Sequence, residues 1–213
     1  MNKSITRAIS GIIYIFLICL GTLYSKLSFT LLFLFLGIIS LYEMNKLRKE
    51  KEKTLPFLYI IIPFTTIHFL TNSNVGNTEE SFNTDLILFL FILTWTFDTF
   101  AYIFGSKLGK HKIIPSISPK KSWEGFAGGF FFTFIAFLIT TKYFQSVDSS
   151  IALVISLFLP FTATLGDFIE SYYKRQAGVK DSGNFIPGHG GILDRMDAFM
   201  ITIPVLYIYL QII

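Results

Sequence analysis

Charge is scarce in this 213-residue chain: charged residues make up 15%, against about 25% in a typical soluble domain. Hydrophobic residues make up 52%, so too little polar surface is left to face water. That excludes an ordinary soluble globule. Cysteine is nearly absent. The one thiol, Cys19, lies in an apolar run and excludes an intramolecular disulfide; it reads as a small lipid- or core-facing residue. The three histidines, His68, His111 and His189, are scattered and lack zinc-ligand spacing. Internal repeats and a low-complexity tail are missing too. Lys3 and Arg7 ahead of Ile9–Leu20 imitate a signal peptide, but no clear small-x-small site follows and further apolar segments do. The segment is read as a first span.

What is present is a series of apolar stretches near the 20 or so residues that cross a bilayer. They run over Thr6–Tyr24, Leu27–Met44, Leu55–Thr71, Asp85–Gly105, Gly125–Tyr143, Ile151–Phe168 and Met196–Ile213. The first two, joined only by Ser25-Lys26, should form a helical hairpin. Of the 18 Lys and Arg residues, all but Lys26 and Lys142 fall on one side of this threading. Positive residues mark the cytoplasmic side, which places the N-terminus inside and, with seven crossings, the C-terminus outside. The loop Asn72–Thr84, with Glu79 and Glu80 and no cation, fits the outer side. The expected fold is an all-α, polytopic transmembrane bundle of about seven spans: N-terminal helices over 1–84, and a catalytic region over 85–213. Two large cytoplasmic loops, Ser106–Glu124 and Ile169–Arg195, carry nearly all the chemistry. Lys46–Lys53 reads as a connector facing lipid headgroups.

Polar residues concentrate from the end of the sixth span onward. Asp167, Glu170, Ser171 and Lys174 stand at i, i+3, i+4 and i+7, one face of a helix. Two acids, a hydroxyl and a lysine at the mouth of an apolar bundle are either an end-cap with an internal ion pair or a binding face. Gly188-His189-Gly190-Gly191 follows Pro187; such a turn can cradle phosphate through its backbone amides, or can be only a tight turn, with His189 a cap or a phosphate ligand. Asp194-Arg195-Met196-Asp197 opens the last span, where Asp197 is either a complement to the helix dipole or a part of the site. Asp194 and Asp167, from separate helices, could hold Mg²⁺ together with phosphate oxygens. In the other loop, Ser118-Pro119 suits an N-cap and first helical position. Lys120 and Lys121 would then sit at the positive end of a dipole, as topology anchors or against a phosphate. Trp123 suits the headgroup belt. Asp98, roughly 10 Å inside the fourth span at 1.5 Å per residue, is either a structural hydrogen-bond partner of Tyr102 or a site residue.

These residues carry a resemblance. The run Ser171-x-x-Lys174-Arg175-x4-Lys180-Asp181-x5-Pro187-x-His189-Gly190-Gly191-x-x-Asp194-Arg195-x-Asp197 closely resembles the hallmark of the phosphatidate cytidylyltransferases, or CDP-diacylglycerol synthases. Asp98-x3-Tyr102-x2-Gly105, continued by Ser118-Pro119-Lys120-Lys121-Ser122-Trp123-Glu124-Gly125, looks like their second landmark. Tyr173 departs mildly, standing where an aliphatic residue is usual, and the N-terminal spans are fewer than in typical members.

The resemblance implies transfer of the cytidylyl group of CTP to phosphatidic acid, giving CDP-diacylglycerol and pyrophosphate. It implies Mg²⁺ held by Asp167 and Asp194, with a second cation as a possibility, and catalytic roles for Asp167, Ser171, Lys174 and Asp194. Ser118, Lys120, Lys121, Arg175, Lys180, His189, Gly190, Gly191, Arg195 and Asp98 would bind substrate. It also implies multi-pass insertion in the inner (cytoplasmic) membrane, a site facing the cytoplasm, contact with membrane lipid, a homodimer and no nucleic-acid partner. Two other enzymes would need a similar site: a CTP-dependent lipid-alcohol kinase and an ether-lipid cytidylyltransferase. A small-solute carrier would instead show paired, interrupted spans in two halves.

Overall fold

A computed structural model describes residues 3–48, 54–71 and 82–213. The chain forms a polytopic membrane helix bundle: α1 (Lys3–Leu23), α2 (Lys26–Leu47), α3 (Leu55–Leu70), α4 (Asp85–Leu108), α5 (Trp123–Thr140), α6 (Ser149–Ala177) and α7 (Leu193–Ile212). Among the described residues the only extended pairing is two isolated bridges, Lys112 with Ser122 and Ile186 with Gly190. Among the described residues, six helices are long and apolar enough to cross a membrane. The third expected span, α3, has 16 residues, about 24 Å at 1.5 Å per residue, and falls short of a hydrocarbon core about 30 Å thick. The expected outer loop lies almost wholly outside the described residues, as does most of the Lys46–Lys53 connector.

Three helices, α2, α5 and α6, start where the N-cap side chain satisfies a first amide. Ser25 and Ser28 form a capping box at α2, which makes the hairpin turn as short as the sequence suggests. Asp148 caps α6 by accepting from Ser150 N at 2.8 Å and Ile151 N at 3.3 Å. The Ser150 hydroxyl, which also donates to it, and then these amides hold its carboxyl below the usual carboxylate range. At α5 the cap is Ser122, whose Oγ accepts from Gly125 N at 3.2 Å; the start expected at Ser118-Pro119 is displaced by four residues. The cause is the loop, which pairs Lys112 with Ser122 and bonds Trp123 N to His111 O before the helix begins. Lys120 and Lys121 therefore precede the helix and do not occupy its first turn.

Two close crossings set the geometry. A Cβ on Gly125 would lie 2.7 Å from Ala101 O and 3.0 Å from Gly105 Cα, and one on Gly166 would collide with Asp197 O. Small residues let helix backbones touch. Here they clamp α4 to α5 and α6 to α7. The core between them is aliphatic and aromatic, with Phe33, Phe89, Leu93, Ile155, Leu159 and Leu206 fully buried. Ile12, Phe16, Leu34, Phe131, Leu157 and Ile208 face outward, as lipid contact requires. The N-terminal ends of α1, α3, α5 and α7 and the C-terminal ends of α2, α4 and α6 gather at one end. Among the contacts that tie them are Ser10 Oγ to Pro187 O (2.8 Å) and Tyr59 OH to Gly166 O (2.8 Å). Both motif-bearing loops meet there.

Candidate active site

At that end the helices enclose an open cavity of about 720 Å³. Its lining comes from α4 (Asp98, Tyr102), the 109–122 loop (Ser118, Lys120, Lys121), α6 (Asp167, Ser171, Lys174, Arg175), the 178–192 loop (Lys180, Asp181) and α7 (Asp194, Arg195, Asp197). Two segments distant in sequence thus contribute to one space. The loop expected to begin at Ile169 is helical as far as Ala177. The polar face of α6 is therefore a continuous helix that outruns the apolar stretch. In the same way α7 begins at Leu193, so Asp194 and Asp197 lie on its first turns.

Three carboxylates converge. Ligand atoms of Asp167, Glu170 and Asp197 lie within 4.8 Å of one another. The approach of α7 to Gly166 brings Asp197 beside Asp167. Like charges this close repel, and cations surround them. Lys121 Nζ is 2.5 Å from Asp167 Oδ2. Lys174 pairs with Glu170 one turn below it and, at 2.8 Å, with Asp194. Ser171 Oγ donates to Asp167 Oδ1 at 3.0 Å. Glu170 is fully buried, and among the described residues its carboxylate is held by the Lys174 ammonium, with no hydroxyl or backbone amide donating to it. A buried carboxylate held this way is under-satisfied. An all-oxygen, all-acid set around it suits a hard divalent cation such as Mg²⁺.

Asp194 stands beside this cluster with its own oxygens occupied. Oδ1 takes Lys174, and Oδ2 accepts from Ser182 N (2.8 Å), Ser182 Oγ (2.9 Å) and Gly191 N (2.8 Å). The Gly-His-Gly-Gly turn serves this closure. Gly188 and Gly190 take φ of 77° and 85°, open to glycine at little cost. His189 points to α1, with Nδ1 2.9 Å from Ser10 Oγ. Burial, helped by the nearby Arg195 and Arg7, lowers its pKa below the usual histidine value. His189, Gly190 and Gly191 do not line the cavity, whereas the other residues to which the resemblance gives a catalytic or substrate-binding role do. Arg195 donates to His189 O at 2.9 Å, and Arg175 donates to Ile117 O at 3.2 Å, which ties the two loops together.

Three groups carry little signal in the sequence. Glu170 stood on the polar face without an assigned role. Asp197 reads from the sequence as a dipole partner as readily as a site residue. Glu43, on α2, is buried and bonds the loop before α7; an acid beside a charged connector looks like surface, and only tertiary contact reveals otherwise.

Comparison with known proteins follows the same residues. The cytidylyltransferase family model matches residues 55–213. Phosphatidate cytidylyltransferase of Staphylococcus saprophyticus is 50% identical over 128 residues, covering 58% of this chain and 48% of the relative. Those of Staphylococcus aureus and Staphylococcus epidermidis are 49% and 46% identical over 126 and 125 residues, with the same coverage. The chain spans about half the length of the curated relatives it matches. With three quarters of its length under the family model and both cavity-lining segments inside the match, this chain belongs to the cytidylyltransferase family.

Proposed function

We propose that this chain transfers the cytidylyl group of CTP to phosphatidic acid, forming CDP-diacylglycerol and pyrophosphate. The observation that carries the reading is the Asp167–Glu170–Asp197 cluster with Lys121 and Lys174 against it, inside a cavity at one end of a membrane bundle. The name of the relatives, phosphatidate cytidylyltransferase, supports the substrate pair.

A lipid phosphate oxygen would attack the α-phosphorus of CTP, forming a new P–O bond as the bond to the β-phosphate oxygen breaks and pyrophosphate leaves. Lipid and nucleotide are both anions, so charge neutralisation and alignment dominate and no protein nucleophile is needed. Lys121, Lys174, Arg175 and Arg195, with the exposed Lys120 and Lys180, line the cavity and would neutralise phosphates. Arginine can bind two oxygens at once. Ser171 would orient Asp167, and Asp98 would face the substrates from the inner wall. We place a divalent cation on Asp167, Glu170 and Asp197, and give Asp194, the second ligand expected from the sequence, the task of holding Lys174 and the loop. Such an ion supplies Lewis-acid stabilisation of the departing pyrophosphate. The side rich in Lys and Arg would face the cytoplasm, where CTP is available, with the lipid arriving from the inner leaflet.

The test is purified protein in detergent micelles with labelled CTP and phosphatidate, with and without Mg²⁺. Label in lipid with release of pyrophosphate is expected, and only with Mg²⁺. Formation of CDP and a phosphorylated lipid would identify a kinase and overturn the reading.

A further inference from the structure

We infer that Glu43 on α2 is a positioning residue for the acidic centre: it fixes the start of α7 and the 178–192 loop, and through them Asp194 and Asp197. The inference rests on the cation site proposed above. Glu43 is 3% exposed, in a helix otherwise made for lipid and core. An acid in such a place is costly unless it is fully hydrogen-bonded. The hydrogen bonds its carboxylate accepts from Ser182, Ile192 and Leu193 leave α2 altogether. Oε1 accepts from Ile192 N at 3.2 Å; Oε2 accepts from Leu193 N at 2.9 Å and from Ser182 Oγ at 3.0 Å.

The first bonds answer a local deficit. The N-cap position of α7 is Ile192, which has no side chain able to cap. Its first amides would otherwise be orphaned at the positive end of the helix. Glu43 caps that helix from another one. Asp194 and Asp197 follow within the first turns, so their directions depend on how the start is held.

The bond to Ser182 reaches Asp194 by a second route. The single proton of the Ser182 hydroxyl faces both Glu43 Oε2 and Asp194 Oδ2, a three-centre arrangement. Glu43, Ser182, Asp194, Lys174 and Glu170 thus form one chain of polar contacts from α2 to the carboxylate cluster. The loop is also shaped to admit the intruding acid. A Cβ on Gly183 or on Gly191 would collide with the Glu43 carboxylate. Glu43 precedes the segment matched by the family model, residues 55–213, so the hairpin of α1 and α2 contributes to the centre as well as to the bundle.

The experiment compares Glu43→Gln with the full-length wild type in micelles. It measures Mn²⁺ binding by electron paramagnetic resonance without nucleotide, turnover of CTP and phosphatidate, and thermal melting. Groups that orient metal ligands through hydrogen bonds typically contribute about 10–100-fold to metal affinity or activity. We expect Mn²⁺ affinity and kcat to fall by about that much, while the melting temperature moves by less than about 4 °C. Ser182→Ala should produce a smaller loss of the same kind, and the double variant should be no worse than Glu43→Gln alone, since both act along one path. Unchanged Mn²⁺ affinity in folded Glu43→Gln overturns the inference. If that variant does not fold, unchanged affinity in Ser182→Ala overturns it. Wild-type protein that binds no Mn²⁺ removes the cation centre and the inference with it. Wild-type binding of Mn²⁺ without turnover would remove the cytidylyl reading and leave the role of Glu43 standing.

Discussion

The two loops that meet at the cavity are held in opposite ways. The 109–122 loop closes on itself. Glu124, in the first turn of α5, accepts from Lys110 N (3.1 Å) and His111 N (3.2 Å) and pairs with His111 Nδ1 at 2.6 Å. Trp123 N bonds His111 O, and Ile113 N bonds Lys121 O. The 178–192 loop is held largely from outside: by Glu43 on α2, Ser10 on α1 and Asp194 on α7. A self-closed loop carries its fold in its own sequence. A loop suspended from three helices takes its shape from the order of the bundle, and can be loosened from a distance.

Removing a support should therefore do most harm where supports are shared. In Asp194→Asn the loop's central acceptor and the Lys174 partner weaken together. Turnover should drop on the order of 10²–10³-fold, as when a preorganised electrostatic contact is lost, while the protein still inserts and extracts from membranes normally. Near-normal rates in this variant would show that the suspended loop does not govern the site. The matching cut in the self-closed loop, Glu124→Gln, should lower kcat/KM by only about fivefold, because its backbone pairings remain. A loss equal to that of Asp194→Asn would erase the contrast between the loops.

The smallest effect is a pH dependence. The His189 pKa is depressed in the folded protein by burial and by Arg195 and Arg7, so the folded state binds fewer protons there than the unfolded chain. Its contribution to stability is complete above the usual value near 6.5 and declines as pH falls through that value toward the folded one. Melting temperature should slip between about pH 7 and pH 5, and His189→Gln should flatten that slope. An equal slope in the variant would detach His189 from the docking of α1.

The sequence discloses periodic features best. The face Asp167, Glu170, Ser171, Lys174 is readable because a helix repeats every 3.6 residues, and all but the buried Glu170 line the cavity. Span positions are readable for the same reason, although α3 is shorter than its apolar run and α6 longer. What crosses between helices is not periodic. The meeting of Asp167 and Asp197 depends on the bare backbone at Gly166, and nothing local announces it. His189 turns toward Ser10, away from the cavity, because of where α1 lies. The sequence points to Ser118 as the cap of α5, and the bridge from Lys112 to Ser122 moves it to Ser122.

The 29 residues of α6 make a rod about 44 Å long, some 14 Å more than the oily slab it crosses. Its surplus turns stand like a mooring post at the waterline, carrying their acids on rigid backbone. On the proposed chemistry, the tethered partner can react while its tails stay in the leaflet, and the dissolved partner need never enter the oil.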